Sequence, residues 1–155
     1  MIITIHTVAD DNLKDLTAIT APNRLEYCLH HNYQLILHKY VSTDFYFMEI
    51  ERLLQMIETL KNCHWLVSMG ADTVFTNMTI PFESVINRYP KNDVIVAKDV
   101  NGINSDIMLM KNTTYVKNWL MNLVYHTKEY TAYQFAIPLL SKPEGFELGV
   151  IHQKE

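Results

Sequence analysis

Two kinds of apolar segment alternate along the chain. Short runs of β-branched and large apolar residues, such as 2–8 and 65–69, are typical of strands buried on both faces. Longer segments, of which 45–61 is the most regular, repeat apolar residues at the three- and four-residue spacing of amphipathic helices. The pattern predicts strands at 2–8, 33–38, 65–69, 94–97, 107–110 and 146–151, and helices at 22–31, 45–61, 82–88, 115–126 and 131–140.

This alternation of helices and strands indicates an α/β fold. We expect one domain over residues 1–155, a three-layer sandwich in which helices cover both faces of a mostly parallel central sheet. Pro22 fits the first turn of its helix, where its missing N–H leaves no intrahelical bond unmade. Leu25, Cys28 and Leu29 then share one helix face, which we expect to pack against the sheet.

The composition is that of a globular domain without a surface for polyanions. Hydrophobic residues make up 48% and charged residues 19% of the chain, and the formal net charge is −4 without a block of Lys or Arg. We therefore expect no nucleic-acid binding. No apolar run approaches the roughly 20 residues of a transmembrane helix, and the first strand lacks the basic flank of a signal peptide. Cys28 and Cys63 are expected to be reduced thiols, so we predict a cytoplasmic protein.

Acidic side chains follow three of the predicted strands. Asp10 comes after the first strand, Asp72 after the strand at 65–69, and Asp99 after the strand at 94–97. Because the carboxyl ends of parallel strands meet at one edge of a sheet, we expect these carboxylates to lie at the same edge. There they can hold a divalent cation or accept hydrogen bonds from sugar hydroxyls. Helix capping by Asp10 and ordinary turn formation at Asp72 and Asp99 are the competing interpretations.

In their order these residues resemble the retaining glycosyltransferases of the GT-A fold, the nucleotide-diphospho-sugar transferases of the glycogenin-like and the galactosyl- and xylosyltransferase groups. The turn Ala9-Asp10-Asp11-Asn12 is similar to a family turn that cups the nucleoside, which implies that Asp10 and Asn12 contact the base. The segment 23–33 is similar to a family helix that starts with Asn-Arg. Arg52 matches an arginine that reaches the donor in the family.

The family's metal motif, Asp-x-Asp at the end of an apolar strand, corresponds here to Gly70-Ala71-Asp72. The first aspartate of the motif is missing. The resemblance implies that Asp72 and the late His152 hold a divalent cation, Mn²⁺ or Mg²⁺. Asp99 resembles a family aspartate that contacts the donor sugar.

Two further segments carry the resemblance. Asn104-Ser105-Asp106 is similar to the family's Asn-Ser-Gly, which implies that Asn104 contacts the donor sugar and that Asp106 replaces a glycine. Gln134 matches a family glutamine near the reacting anomeric carbon. An amide is a poor nucleophile, so Gln134 is expected to orient the sugar and stabilise its cationic transition state. Tyr133 replaces the acidic residue that precedes this glutamine in the family.

The resemblance implies a metal-assisted transferase that moves a sugar from a nucleotide diphosphate, expected to be a UDP-sugar, to a hydroxyl of a carbohydrate or glycoprotein acceptor, with retention of configuration. The departures at Gly70, Asp106 and Tyr133 leave an alternative open: a catalytically impaired sugar-nucleotide or carbohydrate-binding domain derived from such an enzyme. A nucleotidyltransferase is disfavoured because no Gly-rich basic loop is present. Since little follows His152, truncation at the C-terminal acceptor side, a partner domain and a homo-oligomer also stay open.

Overall fold

A computed structural model describes residues 1–100, 102–130, 137 and 149–152 of the chain. Among these residues, helices and strands alternate as the sequence predicts. The strands are β1 (Ile3–Ala9), β2 (Gln34–Lys39), β3 (Trp65–Met69), β4 (Val94–Asp99), β5 (Gly102–Lys111) and β6 (Gly149–His152). The helices are α1 (Lys14–His31), α2 (Phe45–Leu60), α3 (Phe82–Arg88) and α4 (Thr114–Tyr130), and a 3-10 turn at Asp11–Leu13 precedes α1.

The described strands form one sheet in the order β2-β1-β3-β5-β4-β6. Five of them run in the same direction, and β5 is antiparallel to both of its neighbours. The sheet is therefore mostly parallel, which confirms the prediction. The carboxyl ends of β1, β2, β3, β4 and β6 share one edge of the sheet with the amino end of β5.

Helices cover both faces of the sheet, so the predicted three-layer sandwich is confirmed. One buried cluster lies between α1, α3 and the sheet, and consists of Ile3, Ile5, Tyr27, Cys28, Trp65, Val67, Met69, Phe82, Ile86, Ile95 and Leu109. The second lies under α2 and α4 and includes Leu53, Met56, Leu60, Leu66, Val94, Val96, Met108, Met110, Trp119 and Leu123. Alternate residues of β3, β4 and β5 enter opposite clusters, as the pleat requires. Each large apolar side chain buried in this way contributes about 2 kcal/mol.

Helix α1 begins earlier than the sequence predicts, at Lys14, so that Pro22 lies inside the helix and not in its first turn. The early start follows from a cap at Asp10. The Asp10 Oδ1 accepts a hydrogen bond from the Leu13 N–H at 3.1 Å, which closes the 3-10 turn that leads into α1. An N-terminal cap satisfies helix donors that have no intrahelical partner.

The buried face of α1 also differs from the predicted one. Leu25 and Leu29 are exposed, 50% and 74% respectively. The face that packs on the protein instead contains Thr20, Arg24, Tyr27 and Cys28. Two of these four residues are polar because the face covers the loop after β3 as well as the sheet.

The last part of the chain is described only in places. The helix predicted at 131–140 lies outside the described residues apart from Ile137, which is helical. The strand predicted at 146–151 is described from Gly149 and continues to His152. Within the described ranges, no helix is both long enough and apolar enough to cross a membrane. Cys28 and Cys63 are free thiols, and both are buried.

Candidate functional site

One edge of the sheet carries most of the residues that the sequence predicts for a site. Asp10 follows β1, Asp72 lies just beyond β3, and Asp99 ends β4. Asn104 belongs to the start of β5, which runs in the opposite direction and therefore returns to this edge. His152 ends β6 at the same edge. The prediction that Asp10, Asp72 and Asp99 share a sheet edge is thus correct for their backbones.

A cavity of about 270 Å³ opens at this edge between β1, β3 and α2. Among its lining residues, Arg52 is the one cation, and Glu49, Asp72 and Asp106 are the acids. The rest of the wall is mainly apolar and contains Val8, Leu13, Leu16, Phe45 and Met48. The cavity therefore combines an apolar wall with a few charged groups, as small-molecule sites commonly do.

Arg52 reaches the cavity from α2 and is anchored on the sheet. Its Nη2 donates to the Ser68 hydroxyl on β3 at 3.2 Å and to the Ser105 carbonyl on β5 at 3.5 Å. Ser68 and Ser105 are both buried. Two acceptors on neighbouring strands fix the plane of the guanidinium, so its positive charge has a defined place in the wall of the cavity.

The loop after β3, residues 70–75, is held by a buried arginine of α1. Arg24 is fully buried. Its Nη2 donates to the carbonyl oxygens of Gly70, Ala71 and Thr73 at 2.7, 2.8 and 2.8 Å. Burial lowers the pKa of Arg24, and the nearby Asp72 carboxylate acts in the opposite direction. Arg24 therefore determines the path of the loop that presents Asp72.

Two neighbours of Arg24 on α1 extend this attachment. The Asn23 amide donates to the Phe75 carbonyl at 3.0 Å and accepts from the Phe75 N–H at 2.7 Å. The Thr20 hydroxyl donates to the Ala71 carbonyl at 2.8 Å. The sequence marks the Asn-Arg pair only as a family resemblance and assigns it no role. Its position shows what it does in this chain.

Gly70 allows the Asp72 carboxylate to lie close to the backbone of residue 70. A Cβ atom at residue 70 would lie 2.8 Å from Asp72 Oδ1, 3.3 Å from Thr73 Oγ1 and 3.6 Å from Asp106 Oδ1. Real Cβ atoms essentially never come as close as the first of these distances. The polar groups of Asp72, Thr73 and Asp106 therefore border the space that a side chain at 70 would need.

A β-bulge places Asp106 beside Gly70. The pairing of β4 with β5 shifts between Val96, which is opposite Met108, and Ala97, which is opposite Asn104. Residues 105–107 are thus extra relative to β4, and the strand starts well before the predicted residue 107. Bulges re-aim the side chains of the bulged strand, and they are frequent near functional sites.

Asp99 and Asn104 meet at the turn between β4 and β5. The Asn104 amide nitrogen donates to Asp99 Oδ2 at 3.1 Å. Its carbonyl Oδ1 accepts from the Asp106 N–H at 2.8 Å. The two residues that the resemblance assigns to the donor sugar are therefore direct neighbours, and Asn104 also fixes the backbone of Asp106.

Asp10 and Asn12 form a separate pair at the end of β1. The Asn12 amide donates to Asp10 Oδ2 at 2.9 Å, and the other Asp10 oxygen is the cap of the 3-10 turn. Asp10 lines a second cavity of about 240 Å³, between the ends of β1 and β2, which has no lining residue in common with the first. The capping interpretation of Asp10 is thus observed, and contact with a base stays a prediction.

Two predicted site residues, Gln134 and His152, have no described side chain. Gln134 lies outside the described residues altogether, together with its neighbour Tyr133. The backbone of His152 is placed by its pairing with Lys98. Within the part of the chain that the structure describes, no group of three or more His, Cys, Asp or Glu side chains could hold a metal ion.

A buried histidine lies under the cavity. His6 of β1 stands next to Ser68 in the sheet register, its ring centroid is 5.0 Å from that of His38, and it is fully buried. Burial lowers the pKa of His6 to about 3, and positive charge at His38 and Arg52 acts in the same direction. His6 is therefore neutral at physiological pH and adds no second cation beside Arg52.

The pKa of His6 predicts acid sensitivity. The unfolded chain protonates His6 near the ordinary value of about 6.5, whereas the folded protein keeps it neutral down to a pKa of about 3. Protonation of His6 therefore favours the unfolded chain below pH 6.5, and increasingly so as the pH falls toward 3. Because of His6, the free energy of unfolding should be about 2 kcal/mol lower at pH 5 than at pH 8. Urea titrations of wild type and His6→Gln measure this, and the variant should show a flatter profile. An equally steep decline in the variant would assign the effect to other groups.

Comparisons with known proteins support the fold. No family model and no curated protein match the sequence. A glycosyltransferase involved in the glycosylation of the major capsid of PBCV-1 is structurally similar, with a TM-score of 0.75 and 15% identity over 98% of this chain and 82% of that protein. GlyE of Streptococcus pneumoniae TIGR4 follows with a TM-score of 0.64 and 13% identity over 96% of this chain and 44% of GlyE.

The galactosyltransferase LgtC, solved with donor and acceptor sugar analogs, has a TM-score of 0.57 and 9% identity over 95% of this chain and 72% of LgtC. All three proteins are GT-A-type glycosyltransferases. At these identities the similarity concerns the fold alone. The chain therefore has the GT-A fold of the nucleotide-diphospho-sugar glycosyltransferases.

Proposed function

We propose that this protein transfers a sugar from a nucleotide diphosphate donor, a UDP-sugar, to a hydroxyl group of a carbohydrate or glycoprotein acceptor. One observation carries the proposal: in a chain with the GT-A fold, Arg52, Asp72 and Asp106 line a single cavity at the carboxyl edge of the sheet. Open α/β sheets bind their ligands at this edge. The similar proteins reported above are glycosyltransferases.

Arg52 is the group best placed to act on the diphosphate. Negative charge develops on the departing diphosphate during transfer, and a fixed cation stabilises it without reorganisation. Ser68 and Ser105 hold the guanidinium in place before any ligand arrives. The hydrogen-bonded pair of Asp99 and Asn104 offers polar groups to the donor sugar.

In this proposal, the nucleoside of the donor binds at the end of β1. Asp10 and Asn12 form one hydrogen-bonded unit there, and the cavity beside Asp10 has a volume of about 240 Å³. Gln134 is assigned to the reacting face of the sugar, and the retaining course is part of the same proposal; both rest on the sequence resemblance. The acceptor is identified only by its chemistry, a sugar hydroxyl.

A divalent cation belongs to the proposal, and the residues present fit one. Carboxylate oxygens are the hard ligands that Mg²⁺ and Mn²⁺ prefer, and those of Asp72 and Asp106 both lie close to Gly70, 2.8 Å and 3.6 Å from the position that a Cβ atom would take there. Asp72 is assigned as a ligand, with His152 as a second candidate. When bound, Mn²⁺ or Mg²⁺ would supply Lewis-acid stabilisation of the diphosphate.

Thermal unfolding with a panel of UDP, UDP-sugars and other nucleotides, with and without Mn²⁺, tests the proposal. A ligand that binds the folded state raises the unfolding midpoint, so UDP and at least one UDP-sugar should do so, and Mn²⁺ should increase the shift. Asp72→Asn should lose the Mn²⁺-dependent part. Asp15→Asn, a matched change at an exposed position of α1, should keep it. A panel without any shift in the wild type would refute the proposal.

The missing aspartate at position 70 favours a second candidate, a domain that binds sugar nucleotides without transferring the sugar. Calorimetry and an assay of released UDP separate the two functions. Calorimetric binding of a UDP-sugar with release of UDP, in the presence of an acceptor or of water, supports the transferase. Binding with no release across several donors and acceptors supports the binding domain.

A further inference from the structure

We propose that Asp106 replaces the first carboxylate of the Asp-x-Asp motif, so that Asp72 and Asp106 hold the divalent cation from two neighbouring strands. The inference rests on the proposed function, in which the cation is bound together with a nucleotide diphosphate. It concerns a residue to which the sequence assigns only the loss of a family glycine. In the structure, Gly70 and Asp106 are neighbours, so the carboxylate missing from residue 70 on one side is matched by a carboxylate at residue 106 on the other.

The first step is the space at Gly70. An aspartate at this position would begin with a Cβ atom 2.8 Å from Asp72 Oδ1 and 3.6 Å from Asp106 Oδ1. The carboxylate of Asp106 thus borders the volume that the side chain of a first motif aspartate would enter. In this chain the negative charge next to Asp72 comes from β5 and not from β3.

The second step is the way Asp106 is fixed. The Gly70 N–H donates to the Asp106 carbonyl at 2.8 Å, which joins the two loops directly. The Asp106 N–H donates to Asn104 Oδ1 at 2.8 Å. Both bonds hold the backbone of the bulged residue, while its side chain is exposed toward the cavity that it shares with Asp72.

The third step compares the other candidates for a second ligand. His152 ends β6, which is separated from β3 by β5 and β4, a backbone distance of about 14 Å at the usual strand spacing. Asp99 accepts a hydrogen bond from Asn104 at the far side of β5. Asp106 lies on the strand adjacent to β3, and its carboxylate lies beside the same position 70 as that of Asp72.

The fourth step concerns the number of ligands. Two close carboxylates repel each other, and a cation between them removes that repulsion. Two protein carboxylates leave most of an octahedral shell open, and nucleotide sites usually complete such a shell with phosphate oxygens and water. The described residues offer no third acidic, histidine or cysteine ligand. The protein should therefore bind Mn²⁺ weakly alone and more tightly with UDP.

Electron paramagnetic resonance of unbound Mn²⁺, recorded with and without saturating UDP, tests the assignment without reference to turnover. In the wild type, UDP should tighten Mn²⁺ binding. Asp106→Asn should weaken Mn²⁺ binding in the presence of UDP by about tenfold or more, since even outer-shell partners of metal ligands contribute that much. Asp15→Asn, which removes one exposed carboxylate from α1, should match the wild type.

Variants at Gly70 sharpen the test. Gly70→Ala adds only a Cβ atom, 2.8 Å from Asp72 Oδ1, and the exposed Asp72 side chain can move to accept it, so Mn²⁺ binding and the unfolding midpoint should both change little. The double variant Gly70→Asp with Asp106→Gly moves the carboxylate back to β3. It should recover the Mn²⁺ binding that Asp106→Asn loses.

The outcomes separate this inference from the proposed function. A wild type that binds UDP in an Mn²⁺-dependent manner, with Asp106→Asn binding Mn²⁺ equally well, overturns the inference and leaves the proposed function intact. A wild type that binds no nucleotide diphosphate with or without Mn²⁺ overturns both. Loss of binding in a folded Asp106→Asn, with recovery in the double variant, supports the exchange of ligands.

Discussion

Replacing Arg24 with methionine should lower the free energy of unfolding by about 3 kcal/mol, because three carbonyl groups lose a charged donor. The Arg24 Nη2 is bonded to the carbonyl oxygens of Gly70, Ala71 and Thr73 inside the protein. Methionine fills a similar volume, so a large cavity is not the cause of the loss. Removal of the buried charge itself relieves some desolvation, which keeps the expected loss below the sum of three such bonds.

Urea unfolding at neutral pH measures this change. Arg88→Met, at an exposed position near the end of α3, removes a cation elsewhere and should change the free energy of unfolding by less than about 0.5 kcal/mol. Arg24→Lys keeps the charge but has one nitrogen and a shorter reach. Its free energy of unfolding should lie between those of Arg24→Met and Arg88→Met. Equal stabilities of Arg24→Met and Arg88→Met would show that the attachment of α1 to the loop contributes nothing.

The same substitution should affect the site. Asp72 is carried by the loop that Arg24 holds, and its carboxylate is also the charge that offsets the buried guanidinium. Arg24→Met should therefore reduce the Mn²⁺-dependent part of the thermal shift with UDP, in addition to lowering the unfolding midpoint of the unliganded protein. The Asn23 amide both donates to and accepts from the backbone of Phe75. Removing this amide should reduce the same thermal shift, by a smaller amount.

Arg24 also shows where prediction from sequence stops. Arginine is almost never fully buried without partners, so a pattern of apolar positions assigns it to the surface. Its partners are backbone carbonyls 46 to 49 residues further along the chain. Their orientation depends on the path of a loop across α1, and a single sequence contains no signal for that path. The resemblance marks the Asn-Arg pair but does not say what it bonds.

The layers of the fold could be predicted because they depend on burial alone. A strand that is covered on both faces is mainly apolar, and β3 shows this over Trp65–Met69, where every residue is buried and Ser68 alone is polar. Helix α2 follows from the spacing of its apolar residues, and its start at Phe45 is capped by Asp44, which accepts from the Tyr46 N–H at 2.9 Å. Such signals are local, so the sequence suffices.

The start of α1 and the start of β5 depend on competition between local preferences and tertiary contacts. Pro22 favours a first turn, but the cap at Asp10 starts the helix before it, and the helix continues through the proline. In β5 the apolar run begins at Ile107, whereas pairing with β4 resumes at Asn104 after the bulge. Residue 106 gains its position from that pairing, which is why the sequence shows only a replaced glycine there.

The candidate site was predictable as an edge and not as a set of contacts. The positions of Asp72, Asp99 and Asn104 follow from strand ends, and the structure places them accordingly. The side chains that line a common cavity are determined by packing, which strand ends alone do not specify. Arg52, Asp72 and Asp106 line the same cavity, whereas Asp10 lines a different one.

Arg52→Gln should lower the rate of sugar transfer, or of donor hydrolysis, by about a hundredfold, because a fixed cation that faces developing charge contributes on that scale. Among the described residues that line the cavity with Asp72, Arg52 is the one cation. Its Nη2 bonds to Ser68 and Ser105 hold the charge in place. Glutamine removes the positive charge and keeps one amide donor, on a side chain that is two bonds shorter.

Two further substitutions separate charge from geometry at this position. Arg52→Lys keeps the positive charge but not the planar guanidinium whose Nη2 bonds both strands, so its rate should lie between those of wild type and Arg52→Gln. Arg88→Gln removes an exposed cation from α3 and should leave the rate unchanged. Steady-state kinetics with a UDP-sugar and Mn²⁺, together with UDP binding by calorimetry, measure the effect. A cation that acts on developing charge lowers kcat more than UDP affinity; an unchanged kcat with weaker UDP binding would reduce Arg52 to a ground-state contact.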